Sequence, residues 1–183
     1  MSKDDLYAIA AAQQGYFRTG QALECGWTRR NLSTARAKGQ IETVSYGLYR
    51  FAHFPATDRD DLYEIGTLEP RGSFTHETAL TLYGLTDLIP RTTHFTIPPD
   101  AGFRPRPGIT IHHSRITDDD RRLRDGLWIT SPARTLLDGA RSGLDPEQLL
   151  GAAHDARDRG LLTDEDLARI HSHYPYNLIV EAQ

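Results

Sequence analysis

Four basic side chains, Arg29, Arg30, Arg36 and Lys38, fall within the short stretch TRRNLSTARAKG, residues 28–39. Placed on a helical wheel, Thr28, Leu32 and Ala35 share one face, expected to be buried. Arg30, Ser33, Thr34 and Ala37 lie opposite, with Arg29 and Arg36 on one flank and Lys38 on the other. An apolar back and a basic front of small residues suit a helix lying against DNA. An arginine fork matches O6 and N7 of guanine, so Arg30 is the expected base reader. Arg29, Arg36 and Lys38 are expected on phosphates, which supply affinity without sequence information. Ser33 and Thr34 complete the contact face, and Arg50 is expected to add one more phosphate contact. The competing reading is a solvated helix face in a protein-binding module.

Other chemistry-bearing residues form no familiar constellation. His76-Glu77 opens THETAL, but a zincin helix needs a second histidine at position 80, where Leu80 stands. His112 and His113 are adjacent in a strand-like run, so they point to opposite faces and do not simply share one metal. With His94 on a neighbouring strand a metal or general-base site is conceivable; ordinary polar strand positions are the simpler reading. Asp118-Asp119-Asp120 beside Arg121-Arg122 reads as a solvated charged loop. Ser131, Arg134 and Asp138 have helical spacing that a cap and a surface ion pair explain. No phosphate loop or protein-kinase signature occurs. No catalytic residue, cofactor or metal is therefore expected.

The elements that must position the basic stretch follow from its flanks. Residues 4–14 have helical spacing and stop at Gly15; Tyr16-Phe17 suits a brief strand. Thr19 caps a short helix over Gly20 to Cys25 that Gly26 ends. Thr28 caps the next, which Gly39 ends. In QIETVSYGLYRF (40–51) strand formers flank a Tyr46-Gly47 turn. Helix, short helix, turn, helix and hairpin is the plan of a winged helix-turn-helix, whose second helix of the pair enters the major groove. Residues 52–61 read as a connector. Beyond it come a helix in THETALTLYGL, strands in HFTIP (94–98) and GITIHHS (108–114), and a proline-rich loop between them. ITDDDRRLRDG reads as a polar loop, LWIT (127–130) as a strand. Helices then start at Ser131-Pro132, Asp145-Pro146 and Thr163. The fold class is thus α+β: a winged helix-turn-helix over residues 1–52, a connector over 53–61, and a small mixed α/β domain with C-terminal helices over 62–183.

Charge divides along the same line. Residues 1–52 hold seven basic against four acidic side chains; residues 53–183 hold fourteen against twenty-one. A basic head and an acidic body suggest two halves with different partners. No apolar run approaches a membrane span and the start lacks the long apolar core of a signal peptide, so a cytoplasmic location is expected. The lone Cys25 excludes a disulfide within this sequence and reads as a small buried apolar residue.

The stretch QGYFRTGQALECGWTRRNLSTARAKGQIETVSYGLYRFAHFP resembles the N-terminal winged helix-turn-helix of AbiEi-family antitoxins of type IV toxin–antitoxin systems. SFTHETALTLYGLTDLIPRTTHFTIP, PGITIHHS and LWITSPARTLLDGA resemble the same family, and the motifs together cover most of residues 13–140. The resemblance implies an N-terminal domain that binds repeats in its own operon promoter as an autorepressor. It also implies a C-terminal domain that neutralises a cognate nucleotidyltransferase-type toxin. Repeats suit two copies on DNA, although no heptad seam for a dimer is present. Some longer relatives carry a nuclease-like domain after the TSPART-type helix; no such pattern follows here, and that activity is not expected. Two alternatives stay open: a plain transcriptional regulator with a ligand-sensing or dimerising C-terminal domain, and a toxin-modifying enzyme such as an atypical phosphotransferase. An acidic body suits docking on a toxin that handles nucleic acid and is basic around its active site.

Overall fold

The structure, a computed structural model, describes residues 3–87, 89–104 and 106–173. The described chain is α+β and divides into two compact units, residues 1–70 with 123–127, and residues 71–122 with 128–183.

In the first unit, α1 (Lys3–Ala11) ends earlier than its spacing suggests, and the chain reverses through Gln14 and Gly15, both at positive φ. β1 (Tyr16–Arg18), α2 (Thr19–Glu24) and α3 (Arg29–Ala37) follow, then the hairpin β2 (Ile41–Ser45) and β3 (Leu48–Phe51). The three strands form an antiparallel sheet in the order β1-β3-β2. This is the expected winged helix-turn-helix. Its core gathers Leu6, Ala10, Phe17, Ala22, Cys25, Leu32, Ala35 and Ile41, with Trp27, Tyr49 and Phe51 packed on it. Burial raises the pKa of the Cys25 thiol, in keeping with an inert apolar role. The unit runs through the expected connector to Pro70, because α4 (Asp60–Leu68) packs against β1 and β3. Thr57 opens α4 by donating its amide and hydroxyl to Asp60 Oδ1.

The second unit is built on a mixed sheet of order β6-β5-β4-β8-β7, with β4 (Ser73–Phe74), β5 (Thr93–Ile97), β6 (Ile109–His113), β7 (Arg121–Arg124) and β8 (Leu127–Thr130), of which only residues 123, 124 and 127 at the β7–β8 hairpin end count with the first unit. β4 runs antiparallel to β5 and parallel to β8, while β5 and β6 are parallel. The proline-rich loop therefore carries the chain back along the sheet between two parallel strands rather than turning a hairpin. α5 (His76–Tyr83), closed by Gly84 in the left-handed conformation, packs on β5 and on α6 (Pro132–Arg141). α6 also meets α7 (Pro146–Asp158) and α8 (Asp164–His173). Ser131 and Asp145 cap α6 and α7, each with proline at the start. The helix expected in TDEDLARIHSHY is α8; Tyr174 lies outside the described residues. Phe74, Phe95, Leu80, Ile97, Ile129 and Leu136 are fully buried. Gly72 lies against this core; a Cβ there would run into the Phe95 ring.

Two expectations fail here. ITDDDRRLRDG contains β7 rather than only a loop. Its Arg121 guanidinium lies 3.7 Å from the centre of the Trp128 ring, so an arginine supplies the packing an apolar residue would otherwise bring. Asp120 is also no solvated loop residue: its side chain is 14% exposed and pairs with Arg134 and Arg169.

Candidate functional site

The basic helix stands as its wheel predicts on the face opposite the core. Leu32 and Ala35 are buried; Arg29, Arg30, Ser33, Thr34, Arg36 and Lys38 are exposed. Thr28 is not on the buried face. It is the exposed N-cap, accepting from the Asn31 amide at 3.1 Å while Asn31 Oδ1 accepts from the Thr28 amide at 2.8 Å. This reciprocal cap fixes the first turn and so the direction of Arg29 and Arg30. Lys38 ends the helix, and Gly39 at φ +67 releases the chain into β2.

The wing is tied to the same frame. Thr19 donates its amide (2.8 Å) and hydroxyl (3.3 Å) to the carbonyl of Gly47, binding the wing turn to the start of α2. Between α3 and the wing lies a cleft of about 570 Å³ lined by Arg29, Ser33, Arg36, Thr43, Ser45 and Tyr46 among others. Tyr46 is fully exposed at the wing tip. The sequence reading used it only as a turn residue, and a lone aromatic in a hairpin turn is the signal that could have marked it. Arg50, expected beside these cations, is engaged elsewhere. Its guanidinium donates to Pro55 O at 2.6 Å, pairs with Asp60 at 3.5 Å and sits over the Tyr16 ring, leaving the side chain 11% exposed.

The second unit collects polar groups that the sequence left scattered. In the parallel register, His94 faces Thr110 and Thr96 faces His112, so His94 and His112 are diagonal neighbours on one face of the sheet. His94 Nδ1 lies 3.0 Å from His112 Nε2. His76, the first residue of α5, stacks its ring on His112 with centroids 4.0 Å apart. It does so from a left-handed backbone, φ +52, unusual for a non-glycine residue. Ring nitrogens of the three histidines lie within 4.8 Å of one another. His94 Nε2 is 3.2 Å from Glu77 Oε2 and 3.3 Å from the Thr92 hydroxyl. Burial, reinforced by the other two imidazoles and by Arg134, pushes the His76 pKa down to about 3. Burial and His94 also lower that of His112, against the pull of Asp138 and Glu77. His113 is exposed, as strand alternation requires.

Beside the histidines lies a polar pocket of about 490 Å³ lined by His76, Thr96, His112, Ser114, Arg134 and Asp138 among others. The Arg134–Asp138 pair is no surface pair. Arg134 Nε is 2.9 Å from both Asp138 oxygens, Nη1 is 3.0 Å from Asp120 and Nη2 is 3.0 Å from Ser114 Oγ, and the side chain is 11% exposed. Thr75 donates its hydroxyl to Asp138 as well. Three imidazoles and a guanidinium held by two carboxylates could take a metal cation or an anion.

Residues 4–52 match the family described as "Transcriptional regulator, AbiEi antitoxin". In that segment the chain is similar to the AbiEi antitoxin type. The segment coincides with the helices, basic face and wing described above, so the matched segment carries the helix-turn-helix. No curated protein sequence matches the chain. In fold, the chain is similar to the crystal structure of the RV2827C protein from Mycobacterium tuberculosis, with a TM-score of 0.52 at 16% identity over 94% of this chain and 71% of that one. At this identity the likeness is one of fold. No described helix is long and apolar enough to cross a membrane.

Proposed function

We propose that the protein is the antitoxin of a type IV toxin–antitoxin system and the autorepressor of its own operon. In this reading α3 enters the major groove of operator repeats. Arg30 reads a base, Arg29, Arg36 and Lys38 hold phosphates, Ser33 and Thr34 fill the contact face, and the wing with Tyr46 reaches the neighbouring backbone. The second, acidic half neutralises a nucleotidyltransferase-type toxin. The observation that carries the reading is the exposed basic front of α3, capped and backed by core, inside a segment similar to the AbiEi antitoxin type. A regulator with a ligand-sensing second half is the reading favoured by the polar pocket around Arg134.

Two assays test the two halves. Arg30→Ala is expected to cost about 1–3 kcal/mol of operator affinity and to relax preference at one base position. Unchanged affinity and preference would show that α3 does not read DNA. In cells carrying an adjacent nucleotidyltransferase gene, co-expression of the full chain should restore growth, and the Arg30→Ala, Arg36→Ala double variant should restore it equally. Rescue by neither leaves the plain regulator; rescue by the wild type alone means that the helix-turn-helix takes part in neutralisation.

A further inference from the structure

We propose that His76, His94 and His112 hold one divalent transition-metal cation of the zinc class, with Glu77 orienting His94 from behind. The chain brings one histidine from each of three segments, the start of α5, β5 and β6, to a common point. The 3.0 Å between His94 Nδ1 and His112 Nε2 is close to the roughly 3.3 Å edge of a tetrahedron with zinc–nitrogen bonds of about 2.0–2.1 Å. On the far side of His94, Nε2 pairs with the Thr92 hydroxyl at 3.3 Å and Glu77 Oε2 stands 3.2 Å away in ion-pair contact, which leaves Nδ1 to be presented to a metal.

A hydrogen bond between His94 and His112 alone would satisfy those two rings and leave the third unexplained. His76 is 94% buried, and its Nδ1 has no hydrogen-bond partner among the described residues. It also keeps a left-handed backbone that costs energy in any non-glycine residue. A buried, orphaned nitrogen on a strained residue, in a ring stacked on a second imidazole, is accounted for by a shared cation. Three neutral nitrogen donors suit zinc, copper, iron or nickel and not magnesium or calcium. Three protein ligands leave a fourth position for water or an anion, and the pocket bordering His76 and His112 carries Ser114 and Arg134 to receive it.

The test uses the full chain, untagged and stripped with a chelator, titrated with Zn²⁺ against a chromophoric competitor. The expected result is one equivalent per chain. His94→Ala and His112→Ala should abolish it, Glu77→Ala should weaken it by roughly 10–100-fold, and His113→Ala, on the opposite face of β6, should leave it intact. Co²⁺ added to the wild type should give the intense visible bands of a four-coordinate, nitrogen-rich site, a readout that needs no variant to fold. Absence of stoichiometric uptake by the wild type, weak six-coordinate cobalt bands, or undiminished binding by folded His94→Ala and His112→Ala would each overturn the proposal.

Discussion

Under the proposed function, the salt dependence of operator binding should separate the cations proposed to face DNA, Arg29, Arg36 and Lys38, from Arg50. Each phosphate neutralised contributes about −0.9 to the slope of log Kobs against log salt. Arg29, Arg36 and Lys38 are exposed on the front and flanks of α3, so one copy carries a slope of about −2.7 from this helix, or roughly a 40-fold loss of affinity for a fourfold rise in salt. Arg36→Ala should lower the slope to about −1.8 and the loss to roughly 12-fold, while weakening specific and non-specific DNA alike. Arg50→Ala should leave the slope unchanged, because its guanidinium is already held by Pro55 O at 2.6 Å and Asp60 at 3.5 Å. Fluorescence anisotropy of a labelled operator duplex across a potassium chloride series measures all three. If Arg50→Ala flattens the slope as much as Arg36→Ala, or Arg36→Ala leaves it untouched, the assignment of these side chains by exposure is refuted.

Two further substitutions test the second unit. Arg134→Ala leaves Asp138 and Asp120 buried without their main partner; it should cost about 3 kcal/mol, the low end for a broken buried pair, because Asp120 keeps Arg169 at 3.2 Å and Asp138 keeps the Thr75 hydroxyl. Urea unfolding followed through Trp128 in a Trp27→Phe background reads this, and a loss under about 1 kcal/mol would place the pair with ordinary surface bridges. Gly72→Ala sets a methyl against the buried Phe95 ring and Ile97 and should destabilise by about 1–3 kcal/mol; an unchanged melting curve would mean that this packing yields freely.

What the sequence made legible is what neighbouring residues decide among themselves. Thr28 and Asn31 cap each other three positions apart, Gly39 ends α3, and Tyr46-Gly47 turns the wing, so the helix-turn-helix could be read locally. The same local grammar held a missed signal: Asp125-Gly126, both at positive φ, is a hairpin turn of the Asp-Gly kind, and it joins β7 to β8. The polar content of Arg121–Arg124 hid the strand, because the packing of Arg121 depends on Trp128 across the hairpin. Arg50 was misplaced for a related reason. An arginine after a wing turn has the right charge for phosphate, and only Asp60, on a helix ten positions later, decides where it points.

The histidines carry this distinction furthest. His76, His94 and His112 stand eighteen positions apart in turn, a spacing with no meaning in a helix or a strand. Whether they meet depends on β5 and β6 running parallel, on the register that sets His94 diagonal to His112, and on the left-handed residue that swings His76 under them. A shift of one residue in the register would send His112 to the other face and leave three ordinary polar residues. Arg134 depends in the same way on Asp120, fourteen positions before it, and on Ser114 at the end of β6. Charge and spacing in the first unit report a surface built by one helix and its wing. In the second unit they report nothing until topology is known, and its chemistry must be read from pairings across the sheet.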